Sequence, residues 1–151
     1  MQEQLFFLGV KALLLNSVGQ VLLVKVTRKD GSVYWDLPGG RVNKSEDQEA
    51  ALMREVFEET GIANIQVGRN LGMARHDAQI PFSKNDTAGL ILSVYSCTAT
   101  DTTTSDKERH VETIWCPPAD VVEHLGLGQD RGRFPAALQE VIAVELAAAG
   151  V

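Results

Sequence analysis

Positive charge, cysteine and long apolar runs are all in short supply in this chain, and each shortage removes a class of function. Fourteen Lys and Arg face twenty Asp and Glu, for a formal net charge of −6. No basic run interrupts that balance, so the electrostatic footprint that a nucleic-acid polymer needs is missing. Only two cysteines occur, Cys97 and Cys116. They are too few and too widely spaced for a zinc cluster or a disulfide framework, and both read as reduced, buried thiols. No apolar stretch approaches the roughly 20 residues of a membrane-spanning helix. The opening Met1-Gln2-Glu3-Gln4 carries no basic leader region. The expectation is a cytoplasmic protein with no membrane partner.

What is present points to one domain covering residues 1–151. With 44% hydrophobic residues in 151, the chain can bury about two-thirds of its unfolded surface. Leu5 to Leu15 and Gln20 to Thr27 are β-favouring runs joined by Asn16-Ser17-Val18-Gly19, the pattern of a hairpin. Arg28 to Ser32 reads as a turn, Tyr34 to Leu37 as a short strand ending at Pro38. Ile65 to Asp77 and Thr87 to Thr98 are longer strands connected through the polar segment 81–86, and Glu112 to Trp115 ends a final strand. Pro118 to Leu125 and Pro135 to Ala149 carry apolar residues at helical spacing. Strands and helices mix without regular alternation or repeats, which by periodicity alone is an α+β fold.

Residues 40–62 hold the strongest signal. Ser45 followed by Gln48 has the spacing of a capping box, Asp47 and Glu49 suit the positive end of a helix, and Gly61 suits its stop. Winding the segment at 100° per residue groups Ala50, Leu52, Met53, Val56 and Phe57 on an apolar half. Glu55, Glu58 and Glu59 fall on the other half. Carboxylates at i, i+3 and i+4 repel by roughly 0.2–0.5 kcal/mol per pair, and the last two also face the negative end of the helix dipole. Alone they could form an ordinary solvated acidic face. A hard divalent cation reverses the sign of both terms, because Mg²⁺ takes oxygen ligands and is held by one or two carboxylates plus substrate phosphates.

Gly40, Glu46, Arg54, Glu55, Val56, Glu58, Glu59, Gly61 and Ile62 fill every fixed position of the Nudix box, so the chain resembles a Nudix hydrolase. The box spans residues 40–62 of the 151, entered through Leu37-Pro38-Gly39-Gly40 as is typical of that family. The resemblance implies an α/β/α sandwich with a mixed central sheet. It also implies Mg²⁺, with Mn²⁺ as an alternative, held by Glu55, Glu58 and Glu59 and by the backbone carbonyl of Gly40. Glu55 or Glu58 could also serve as base. Arg54 would orient a carboxylate, and Glu46 would be structural. The implied reaction is hydrolysis of a phosphoanhydride in a nucleoside diphosphate linked to another moiety, a nucleoside triphosphate or a nucleotide sugar. The partner is then a small nucleotide rather than a polymer, and the assembly a monomer or homodimer.

Such relatives often recruit a further acid outside the box. Glu108 and Glu112 are the candidates, and a glutamate shortly before a tryptophan favours Glu112, three residues before Trp115. Its alternative is an ordinary acid at a strand edge. Phe6, Phe7, Tyr34, Trp35 and Phe82 could stack on a nucleobase, although most are expected in the core. Arg75 and His76, near a strand end, could touch phosphate or be plain surface groups, and the surface is the expectation. No submotif selects a particular nucleotide. Two other functions on the same fold are a non-catalytic nucleotide sensor, which the intact box disfavours, and an isoprenoid diphosphate isomerase, which lacks an evident catalytic cysteine region here.

Overall fold

The computed structural model describes residues 4–76, 88–102, 111–128 and 134–150. Glu108, Phe82 and the connection at 81–86 lie outside them. In chain order the elements are β1 (Phe6–Leu15), β2 (Val21–Thr27), β3 (Val33–Asp36), β4 (Gly39–Arg41) and α1 (Gln48–Thr60), then β5 (Ile65–His76), β6 (Gly89–Ala99), β7 (Thr113–Cys116), α2 (Pro118–His124) and α3 (Ala136–Ala149).

β1 is the centre of the mixed sheet, whose order is β3-β2-β1-β6-β5, with β4 pairing β1 and β7 pairing β2. Along its whole length, from Phe6 opposite Gly89 to Leu15 opposite Thr98, it runs parallel to β6. A strand in that position is buried on both faces, which is why Phe6–Leu15 reads as a nearly continuous apolar run instead of an alternating one. Val10, Ala12 and Leu14 pack with Ala51, Leu52 and Val56 of α1. Leu13 packs on the other face with Val121 of α2 and Leu138, Ile142 and Leu146 of α3. Helices therefore cover both faces, giving the α/β/α sandwich with a mixed central sheet. No helix among the described residues is long and apolar enough to cross a membrane.

The β1–β2 hairpin exists, but its two strands pair only at Leu15 opposite Val21. The turn is closed by Asn16, whose Oδ1 accepts from the Val18 and Gln20 amides at 3.1 and 2.9 Å. Beyond it the strands part, because β1 turns its free edge to β4 and β2 pairs with β3 and β7. β4 itself went unforeseen, since two glycines in succession carry no strand signal. β5 forms as one long strand whose register against β6 shifts between Val67 and Gly72, the mark of a β-bulge. Cys97 and Cys116 are free and buried.

Candidate metal centre and active site

Helix α1 starts two residues later than the Ser45 capping box predicts. Its N-cap is Asp47, whose Oδ1 accepts from the Ala50 amide at 2.8 Å. Residues 43–46 are committed elsewhere: the Glu46 amide donates to the Asn43 carbonyl at 3.1 Å, and Glu46 Oε1 accepts from the Asn43 amide at 2.9 Å. The helix thus begins at the next oxygen-bearing side chain able to cap it. It stops as expected at Gly61, where φ is 80° and the amide donates to the Phe57 carbonyl at 2.8 Å.

The helix is also rotated relative to the simple amphipathic reading. Met53 and Phe57, placed on the apolar half, are 41% and 52% exposed, and Ala50 is exposed too. Glu55 and Glu59, placed on the solvated half, are only 4% and 8% exposed. The reason is the surface α1 meets. β4 presents Gly39 and Gly40, which have no side chains, and the space a Cβ on Gly40 would take is filled by the Glu55 carboxylate. Gly39 has φ 151°, and a Cβ there would collide with the Val10 carbonyl. Its amide donates to Glu59 Oε1 at 2.7 Å. The bare Gly40 thus admits the Glu55 carboxylate where a side chain would expel it, while the Gly39 amide holds Glu59.

One guanidinium organises the acids. Arg54 meets Glu46 through two donors, Nε to Oε2 at 3.0 Å and Nη2 to Oε1 at 2.6 Å, the geometry of a bidentate pair. Its Nη1 donates to Glu55 Oε1 at 2.9 Å and reaches Glu58 at 3.4 Å, while Nη2 also donates to the Arg41 carbonyl at 3.0 Å. Hydrogen bonding to Glu46, followed by Glu55, holds the Arg54 guanidinium well above its usual pKa. The same contact pulls the Glu46 carboxyl below its ordinary value. Arg54 therefore offsets much of the repulsion among the helix acids. Glu46, which precedes the helix, touches Arg54 and the Asn43 amide.

The donor set suits a hard divalent cation. It consists of the carboxylate oxygens of Glu55, Glu58 and Glu59, two of these side chains are buried, and the Glu55 carboxylate is seated in the space a Cβ on Gly40 would take. In the structure these acids turn to Arg54 and to the Gly39 amide. Among the described residues no three acidic, histidine or cysteine side chains converge as a ready-made ion site.

Glu112 makes its contacts with β2 and not with this cluster. It precedes β7, its side chain is 62% exposed and pairs with Lys25 Nζ at 3.3 Å, and its carbonyl accepts from the Lys25 amide at 2.8 Å. The aromatic candidates are less buried than anticipated. Phe6 is 48% exposed, and Phe7, Tyr34 and Trp35 are half-buried. They sit on the start of β1 and on the edge strand β3, where coverage by helices is incomplete. Arg41 stacks over Phe7 with its Cζ 4.5 Å from the ring centre, and Arg28 over Tyr34 at 4.1 Å. Trp35 meets the His124 ring edge-on at 5.8 Å. Arg75 is exposed near the end of β5, and the neighbouring His76 is half-buried.

Two residues that sequence reasoning passed over stand beside the ledge. Lys11, opposite Gly39 in the β1–β4 ladder, is 9% exposed, and its Nζ pairs with Asp36 Oδ2 at 3.0 Å. The signal was available in Gly9-Val10-Lys11-Ala12-Leu13, where one lysine interrupts a buried apolar run.

Residues 5–138 match the family model described as NUDIX domain. A CTP pyrophosphohydrolase of Escherichia coli (strain K12) is 27% identical over 117 residues, 76% of this chain and 79% of its own length. An RNA pyrophosphohydrolase of Roseobacter denitrificans is 43% identical over 54 residues, 35% of this chain and 32% of its own. A Bacillus subtilis (strain 168) relative is 53% identical over 53 residues, so the chain spans about a third of that protein's length, 34%. Among solved structures, the MutT protein from Methanosarcina mazei Go1 superposes with a TM-score of 0.66 at 24% identity, covering 98% of this chain and 97% of that one. That likeness bears on the fold, and it agrees with the architecture above. Because the family model extends over nearly the whole described sheet and includes the box with its glycine ledge, the chain belongs to the Nudix hydrolase family.

Proposed function

We propose that this chain is a divalent-cation-dependent pyrophosphohydrolase acting on a nucleoside triphosphate, working as a single cytoplasmic domain. The observation that carries the reading is the burial of Glu55 and Glu59 against the bare backbone of Gly39 and Gly40. Arg54 and the Gly39 amide hold the two carboxylates in place, so their oxygens are gathered on the ledge before a cation arrives. Glu55, Glu58, Glu59 and the Gly40 carbonyl would hold Mg²⁺, or Mn²⁺ in its place. When bound, the cation neutralises charge on the phosphate oxygens and makes a water easier to deprotonate.

The chain's own residues do the rest. Arg54 holds the Glu55 carboxylate through Nη1 and anchors itself on Glu46, so the carboxylate is aimed before substrate arrives. Glu58 meets the same guanidinium at 3.4 Å. Glu58, on the same helix, is the box acid assigned to take a proton from the attacking water. Glu112, exposed and paired with Lys25, is the outside candidate for the same task. Choice of nucleoside triphosphate draws support from the E. coli relative named for CTP, and from the acidic balance of the chain, which disfavours a polymer.

The test is incubation of purified protein with a panel of nucleoside triphosphates, nucleotide sugars and a 5′-triphosphorylated RNA, with Mg²⁺ or with chelator, while pyrophosphate and phosphate are followed. Mg²⁺-dependent release of pyrophosphate with a nucleoside monophosphate is the expected result. Turnover of the RNA alone would transfer the substrate to a polymer end. Tight nucleotide binding without any product would replace the enzyme with a sensor.

A further inference from the structure

We infer that the buried Lys11–Asp36 pair is a positioning device for the cation site, acting through the Gly39–Gly40 ledge. This rests on the proposed reading that the helix carboxylates hold a divalent cation. Both side chains are nearly inaccessible, at 11% and 3% exposure. Removing two charges from water costs several kcal/mol per ion, and a buried pair rarely stabilises a fold more than apolar residues of the same volume would. A purely structural account therefore predicts hydrocarbon here. What the pair supplies instead is direction. Lys11 Nζ donates to Asp36 Oδ2 at 3.0 Å and to the Leu37 carbonyl at 3.3 Å, while Asp36 Oδ1 accepts from the Leu37 amide at 2.8 Å.

Asp36 and Leu37 are thereby clamped on both backbone polar groups of Leu37, two residues before Gly39. The next residue is tied as well, because the Ala12 amide donates to the Pro38 carbonyl at 2.9 Å. Gly39 then enters β4 with φ 151°, a conformation that two glycines in a three-residue strand cannot hold by themselves. From that point the Gly39 amide reaches Glu59 and Gly40 lies against Glu55. A clamp released at Leu37 would let both ledge residues drift relative to the two carboxylates. Outer partners of metal ligands usually matter by 10- to 100-fold in affinity or activity.

The experiment replaces the pair by hydrocarbon of similar volume, Lys11→Met with Asp36→Leu, and reads three quantities. The urea midpoint should stay or rise. Mn²⁺ affinity of the nucleotide-free protein, from the loss of the free-ion EPR signal, should fall about tenfold or more. Turnover should fall by a similar factor in kcat with KM nearly unchanged, since the lost alignment acts on the reacting centre. A double variant that folds with wild-type Mn²⁺ affinity and kcat overturns the proposal. If it does not fold, Asp36→Asn keeps the shape and removes one charge. Weakened Mn²⁺ binding in that variant supports the clamp, and unchanged binding overturns it. Wild-type protein that binds no Mn²⁺ at millimolar concentration refutes the cation reading itself, and this inference with it.

Discussion

Adjacent glycines should separate folding from chemistry when each is changed to alanine. Gly39 adopts φ 151° and faces the Val10 carbonyl, while Gly40 has no positive φ and faces the end of the Glu55 side chain. Gly39→Ala forces an L-residue into a conformation that costs about 1–3 kcal/mol and presses a methyl group on backbone, for about 1–3 kcal/mol more. The sum, about 2–6 kcal/mol, is a large share of the 5–15 kcal/mol that holds a typical domain together. With a urea slope of about 1–3 kcal/mol per M, the midpoint should drop by about 1 M or more. In Gly40→Ala the obstacle is a flexible carboxylate that can swing away, so stability should change by about 1 kcal/mol or less. The displaced group is the proposed ligand Glu55, however, and a shift of about 1 Å at a reacting centre is enough for roughly 100-fold in rate. Urea melts by circular dichroism, alongside kcat/KM for the best nucleotide, read both effects. Wild-type turnover in Gly40→Ala would refute the ledge as the seat of the site. An unchanged midpoint in Gly39→Ala would refute the strain assigned to β4.

Legibility followed how local each signal was. The strands, the helix stop at Gly61, the helix start at Pro118, and the apolar spacing of Leu138, Ile142 and Leu146 lie in short stretches of sequence, and the structure agrees with them. The rotation of α1 was not legible, because it depends on what the helix meets. A helical wheel places Glu55 and Glu59 outside on polarity; the missing side chain at Gly40 makes room for Glu55, and the Gly39 amide holds Glu59 inward. The N-cap failed for a related reason. Ser45 and Asp47 are both good caps in isolation, and the contact of Glu46 with Arg54, eight residues on, decides between them. The box identified the acids; their burial, and the Lys11–Asp36 pair behind the ledge, required the β1–β4 pairing that no periodicity announces. The limited β1–β2 contact escaped in the same way, because the competing strands β4 and β7 come from distant sequence.

Glu58→Gln and Glu59→Gln should each lower kcat by several orders of magnitude with the fold intact. Glu59→Gln keeps an oxygen for the Gly39 amide, and both relieve like-charge repulsion; wild-type turnover at saturating Mg²⁺ in either variant would remove it from the ligand set. If Glu112 takes the proton in place of Glu58, Glu112→Gln should lower kcat with little change in KM while Glu108→Gln is nearly silent; the opposite pattern would move the proton acceptor to residue 108, and two silent variants would leave it within the box. Burial pushes the Cys97 thiol from an ordinary 9.0 to about 12. The unfolded chain therefore releases a proton that the fold retains, and the stability this group contributes, whole below pH 9, declines as pH rises from 9 towards 12. The decline should approach roughly 1.4 kcal/mol per pH unit and be weaker in Cys97→Ala; identical pH profiles for the two proteins would contradict it. Finally, Mg²⁺ should raise the melting temperature. A ligand that binds only the folded state at about 100 times Kd adds about 2.7 kcal/mol, or about 5–11 °C for a domain of this size. Because Arg54 already offsets the repulsion around Glu55 and Glu58, that gain would come from coordination and not from relief of bare charge. It should shrink in Glu59→Gln and grow with a non-hydrolysable nucleotide whose phosphate oxygens complete the coordination shell. A melting temperature indifferent to millimolar Mg²⁺, with and without that nucleotide, would count against the cation site and leave the buried acids serving Arg54 and the Gly39 amide.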